Sequence, residues 1–221
     1  MGSWHNFLQD LSAQWPVIWS GLLDTLHLTV TISVSGFLLG IAVFYCSISR
    51  YVLIRKLTEA YISFFIGMPL IVLLFLMYYG LPQWGIKLEP FTVAVIGFTM
   101  NVAAYNAAYL TTAYNSLDQI ELEAARAQGF SEPQVFRYIT LPQVLRFSVP
   151  ALTNQVIGNL KDSSVAFLIQ YTEFFARIQE LASYNFQFFK AYMFAAVVYL
   201  LLVSVIVIVA RMIERRICVI G

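Results

Sequence analysis

Apolar residues fall into five long runs, at 21–45, 61–80, 91–114, 147–169 and 191–210, separated by stretches that carry charge, glycine or proline. A membrane-spanning helix needs about 20 predominantly apolar residues, so the pattern predicts five spans. The first run carries a conflicting signal. Thr25, His27, Thr29, Thr31, Ser33 and Ser35 alternate with Leu26, Leu28, Val30, Ile32 and Val34, a period of two that in water argues for a strand. A lone strand cannot cross a bilayer, because its backbone groups would find no partners. Serine and threonine can bond back to the carbonyl one turn earlier, which a helix absorbs. The run is therefore expected to be helical, with His27 satisfied inside the bundle. Gly36 and Gly40 extend it as a small-xxx-small pattern that lets a neighbouring helix approach closely. Ahead of the first run, Phe7, Leu8, Leu11 and Trp15 share one face of a short helix over 3–15, expected to lie on the membrane surface.

Composition agrees with lipid as the solvent. Of 221 residues, 60% are hydrophobic and 11% charged, against roughly half and a quarter in soluble domains. A net charge of +1 gives no reason to invoke nucleic acid. Cys46 and Cys218 have no metal or redox spacing. No basic segment precedes the first apolar run, so no cleaved signal peptide is expected. The cations set an orientation. Arg50, Arg55, Lys56, Arg126, Arg137, Arg146, Arg211, Arg215 and Arg216 fall on one side of five spans, and Lys87, Arg177 and Lys190 on the other. The positive-inside rule places the N-terminus outside and the C-terminus in the cytoplasm.

The longest polar interruption, 115–143, is then cytoplasmic. Asp118 with Glu121 fits a capping box, Gly129 can end the helix in the left-handed region, and Ser131 with Gln134 fits a second box with Pro133 in its first turn. Pro142 is expected to break this second helix before the fourth span. The prediction is a stiff helical hairpin. Ala124, Ala125 and Ala127 leave little bulk on its first helix, which suits insertion into a groove on another protein.

Glu123-Ala124-Ala125, Gly129, Ile139 and Leu141-Pro142 together resemble the EAA loop of the permease subunits of bacterial ABC importers. Gly21 to Thr29, Tyr79-Gly80-Leu81-Pro82, Asn154-Gln155, Leu160 to Ser164, Gln179-Glu180-Leu181 and Glu214-Arg215-Arg216 resemble the polar-amino-acid branch of that family, in order along nearly the whole chain. The resemblance implies an all-α membrane protein: one permease domain over 1–221, five transmembrane helices and a cytoplasmic coupling helix, the type I importer fold. It also implies that the loop, through Glu123, Ala124, Ala125 and Gly129, docks on a separate ATPase. The expected partners are a second permease subunit, two ATP-binding subunits and an extracytoplasmic amino-acid-binding protein. ATP and magnesium would sit on the ATPase, leaving this chain without a cofactor. Three positions depart from the family pattern. Ile66-Gly67-Met68-Pro69 stands where Arg-Gly-Thr-Pro is usual; Ala108, Thr111 and Thr112 replace an acidic residue and Arg-Gly; Ile120-Glu121 replaces Gly-Gln. They bear on the substrate rather than on the class.

Polar residues inside the spans are the remaining candidates. Asn154, Gly158, Lys161 and Asp162 fall on one face of the fourth run, with Ser163 beside them, and Asn101 and Tyr105 lie in the third. Charge at this depth costs about 2.5–3.5 kcal/mol on insertion scales, so it should face a cavity or a partner. Two readings stand: these residues line a solute path, or they are hydrogen-bonding glue between helices. One carboxylate beside Lys161 argues for a neutral or zwitterionic amino acid. Asp162 would hold its ammonium group, with Lys161 balancing Asp162 or ordering the interface. The sequence also allows a non-binding half of a heterodimer, or a permease for another small polar solute. Enzyme motifs, a phosphate-binding loop and inverted repeats do not occur, which argues against an enzyme, a self-powered pump and a secondary transporter.

Overall fold

The computed structural model describes residues 4–218, so Ser3 of the expected surface helix lies outside the described residues. Among these the fold is helical, with no strand. In chain order the helices are α1 (Trp4–Ala13), α2 (Trp15–Ser47), α3 (Val52–Gly67), α4 (Leu70–Phe75), α5 (Pro90–Asn115), α6 (Gln119–Ala127), α7 (Glu132–Val135), α8 (Leu141–Asp162), α9 (Phe174–Asn185) and α10 (Phe188–Cys218).

The alternating first run is a helix, as expected. Its hydroxyls bond back along the helix: Thr31 Oγ1 donates to His27 O and Ser35 Oγ to Thr31 O, each at 2.8 Å. Gly36 and Gly40 seat α2 directly on α5. A β-carbon at Gly36 would lie 2.5 Å from Val102 Cγ1, and one at Gly40 2.7 Å from Asn106 Cβ. Ser35 Oγ and Thr99 Oγ1, 2.6 Å apart, tie the same two helices. His27 departs from expectation: it stands on an exposed face and stacks on Phe91, with ring centroids 5.1 Å apart.

The second run is not one continuous helix. The α3 helix stops at Gly67 and the chain resumes at Leu70 bent by 97°. Met68 and Pro69 are extended, with ψ of 128° and 129°, which fits the restriction that proline places on the residue before it. A π turn (Leu76–Gly80) follows α4, and a second (Phe136–Thr140) joins α7 to α8. Each π turn is followed by a Leu-Pro pair, Leu81-Pro82 and Leu141-Pro142. A proline here withdraws one helical N–H, and the widened turn accommodates the gap. Pro142 therefore does not break the chain before the fourth run; it sits in the first turn of α8.

Among the described residues three helices are long and apolar enough to cross a membrane, α2, α5 and α10, or four if the bent pair counts as one crossing. The fourth expected span is the exception. The regular part of the fourth run ends at Asp162, residues Ser163–Ile169 tighten into 3-10 helix, and polar side chains lower the apolar content of α8. The short helix α1 also differs from expectation. Phe7 and Leu11 are buried against Ile18, Phe174 and Ile178, whereas Leu8 and Trp15 are exposed. It packs on one end of the bundle with two of the four anticipated residues.

Candidate functional site

The elbow between α3 and α4 opens a cavity of about 460 Å³ against α5 and α8. Residues 66–70 form one wall, Asn101, Tyr105 and Tyr109 of α5 a second, and Asn154, Gln155, Gly158 and Asp162 of α8 a third. The structure thus brings together five of the seven expected path residues. Lys161 is exposed and lines no part of the cavity. Successive residues on a helix point about 100° apart, so Asp162 can face the cavity while its neighbour does not. Ser163 is also elsewhere, fully buried with its hydroxyl donated to Leu160 O at 2.7 Å. Asp162 is then the one charged residue among those lining the cavity. Three amides in and beside the cavity wall, Asn101, Gln155 and Asn159, are held by specific partners. Gln155 Nε2 donates to Asn159 Oδ1 at 3.0 Å, and Asn159 Nδ2 to Ser33 Oγ at 2.9 Å. Asn101 Nδ2 donates to Phe65 O at 2.8 Å.

The hairpin α6–α7 forms the second part of the site. Asp118 caps α6 by accepting the Ile120 N–H at 2.9 Å. Glu121 does not complete the expected box; it accepts Gln143 Nε2 at 2.7 Å and so ties α6 to α8. Gly129 turns the chain at φ +88°. Gly129 N–H bonds to Arg126 O at 3.0 Å and Phe130 N–H to Ala125 O at 3.2 Å, which satisfies the end of α6. The second box, Ser131 with Gln134, is formed. Across the turn Arg126 grips Glu132 through two bonds of 2.9 and 3.3 Å, and this contact pushes the guanidinium pKa up. Glu123 and Ala124 are exposed. Ala125 points the other way, buried with Leu122 and Val135 against Tyr114 and Ile139. Its small size serves the hairpin's own packing.

One residue escaped the sequence reading. Glu173 is fully buried as the N-cap of α9. It accepts Phe175 N–H at 2.8 Å, Ala176 N–H at 2.9 Å and Thr25 Oγ1 at 3.0 Å, with Tyr199 Oη at 3.5 Å. Burial pushes its carboxyl up from the usual range, and these donors partly offset the effect. The contact joins α2, α9 and α10 and explains Gly21 and Thr25. A β-carbon at Gly21 would approach Arg177 Cγ to 2.7 Å and Glu173 O to 3.1 Å. Glutamate is an uncommon N-cap, so no capping rule marks this position.

A helical bundle with a broken helix, a polar cavity beside it and a turned hairpin has the architecture of a membrane permease. The chain belongs to the family of binding-protein-dependent transport system inner membrane components, which it matches over residues 17–218. It is 36% identical over 203 residues to a probable amino-acid permease protein, YxeN, of Bacillus subtilis (strain 168), covering 90% of this chain and 91% of that one. It is 34% identical over 202 residues to a probable amino-acid ABC transporter permease protein, PatM, of Vibrio harveyi, covering 90% and 89%. A solved amino acid ABC transporter with histidines superposes with a TM-score of 0.86 at 30% identity, over 95% of this chain and 98% of that one. The chain is thus a multi-pass inner-membrane permease subunit of an ABC importer. The family implies ATPase and solute-binding-protein partners. Among the described residues no group of His, Cys, Asp and Glu could hold a metal ion.

Proposed function

We propose that this chain, as a single permease domain over 1–221, imports a polar amino acid with a free ammonium group, and that the cavity between the elbow, α5 and α8 is its path. The observation that carries this reading is Asp162, a lone carboxylate on a cavity wall otherwise made of amides, tyrosines and backbone. Asp162 is exposed and makes no salt bridge among the described residues; if the cavity lies within the membrane, a solute ammonium would offset the several kcal/mol that its charge costs there. Lys161 acts on Asp162 through its charge from outside the cavity, and the solute ammonium would be the partner inside it. The relatives named above are amino-acid permeases, in line with this chemistry.

In this reading the chain crosses the membrane five times, counting α3–α4 as one broken crossing and α8 as a crossing whose polar face borders the cavity. The N-terminus is outside and the C-terminus and hairpin are cytoplasmic, as the distribution of cations supports. Glu123, Ala124 and Gly129 present the hairpin to an ATPase that binds and hydrolyses ATP with magnesium, while Ala125 holds the hairpin together. The complex has a second permease subunit, identical or homologous, and two ATPase subunits. The test is uptake by the purified complex in proteoliposomes. Asp162→Asn should reduce amino-acid uptake at least about tenfold, the scale of a lost charge contact. Unchanged uptake would remove the argument for the path.

A further inference from the structure

The elbow that shapes the cavity creates a polar debt in its own backbone. Proline has no N–H. In an unbroken helix the peptide N–H of residue 69 would bond to the carbonyl of Phe65; with Pro69 there, that carbonyl loses its partner. Inside a membrane water does not replace it, and an unmet carbonyl is costly. Asn101, on the facing helix α5, supplies the missing donor: its Nδ2 lies 2.8 Å from Phe65 O. Beside it the exchange runs the other way. Tyr61 of α3 donates its hydroxyl to Met100 O of α5 at 2.7 Å. Neighbouring residues of α5 and residues one turn apart on α3 thus form a reciprocal clasp just before the chain bends by 97°.

We infer that Asn101 is a positioning residue that stands in for the peptide N–H absent at Pro69 and so holds the elbow against α5. The inference deepens the proposed path, since the elbow is one of its walls, and rests on that reading for its functional consequence. The carboxamide is needed for a chemical reason. Leucine at 101 would leave Phe65 O unpaired, and aspartate would set an anion against the carbonyl dipole. Glutamine keeps the donor and extends toward the open cavity. The same bond fixes how Asn101 meets a solute. With one of its two amide N–H groups taken by Phe65 O, the side chain has its oxygen and its second N–H left to offer to the cavity it shares with Asp162.

The test is a double-mutant cycle on the assembled transporter, with thermal midpoint and uptake kinetics both measured. Asn101→Leu should lower the midpoint by about 2–4 °C, the scale of one lost bond. Pro69→Ala lifts the restriction that holds Met68 extended, so the helix can run on and bring a peptide N–H to Phe65 O, and the same substitution should then lower the midpoint by less than half as much. Asn101→Gln should stay close to the parent in both backgrounds. Equal losses in the two backgrounds would overturn the inference, because Asn101 would then be serving some other group. If Asn101→Leu does not assemble alone, recovery of assembled complex in the Pro69→Ala, Asn101→Leu double variant replaces the midpoint as the readout. Absence of recovery overturns the inference. Uptake separates this from the path itself. Asn101→Leu should raise the half-saturation concentration about tenfold while turnover changes less. Coupling to Pro69 with unaltered uptake kinetics would uphold the clasp and overturn the cavity as the solute path.

Discussion

Replacing Gly129 perturbs one backbone torsion and little else. Its φ is +88°, and a β-carbon built there meets no atom within 4 Å, so a substitution brings strain without a clash. An ordinary L residue in the left-handed region costs roughly 1–2 kcal/mol, and a β-branched one lies toward the upper end of the roughly 1–3 kcal/mol range for strained backbone. Little opposes that strain. The hairpin closes on two turn bonds, a small core of Leu122, Ala125 and Val135, and the Arg126–Glu132 pair, whose side chains are 43% and 59% exposed. An exposed pair contributes at most about 1 kcal/mol. A penalty of about 2–3 kcal/mol therefore lowers the ratio of closed to open hairpin by roughly 30- to 150-fold. The measurement is solute imported per ATP hydrolysed by the complex in proteoliposomes, with retention of the ATPase checked by copurification. The ratio should fall in the order Gly, Asn, Ala, Val at position 129, because asparagine tolerates the left-handed region best after glycine. A Gly129→Val transporter that keeps its ATPase and its full ratio would refute the coupling role of this turn.

The other expectations follow from single contacts. Ala125→Leu forces three more carbon atoms into the hairpin core, an overpacking of about 1–3 kcal/mol; import per ATP should fall while membrane insertion, followed by protease protection, is retained. Glu173→Gln replaces one acceptor of the α9 cap with a donor and should destabilise the solubilised complex by about 1–3 kcal/mol, read from its thermal midpoint; an unchanged midpoint would show that the clustered donors do not need the carboxylate. A cysteine at position 126 should stay unlabelled by an impermeant reagent added outside intact cells, and labelling would reverse the proposed topology.

Much of this fold is legible because a few residues act through backbone geometry alone. Gly36 and Gly40 mark a close helix contact wherever they stand on a span, and they met Val102 and Asn106 at distances that no side chain would permit. Gly129 marked its turn for the same reason. The inward face of α6 was harder to read. On a helix of nine residues, alanine fits both a tight core and a docking surface, and the choice between them for Ala125 depends on where Val135 and Tyr114 lie, residues beyond α6. Glu121 likewise matched a local capping pattern but was taken by Gln143, 22 residues away.

The cavity was the least legible part, and the reason lies in which atoms define it. Sequence patterning registers side chains, and it marked Asn154, Gly158 and Asp162 through their spacing. It could not tell that Lys161 would turn away, nor that the chain would break at Met68 and Pro69 and bend by 97°. The decisive group at the elbow is the Phe65 carbonyl, which has no letter of its own. Its need becomes visible when Pro69 is read for the N–H it withholds, four residues later. Asn101 then changes meaning, from a polar residue in an apolar helix to the answer to a specific vacancy 36 positions earlier in the chain. Polar residues in spans are thus worth pairing first with the backbone groups that nearby prolines leave unmet. Those without such a partner, Asp162 foremost here, are the stronger candidates for contact with the solute.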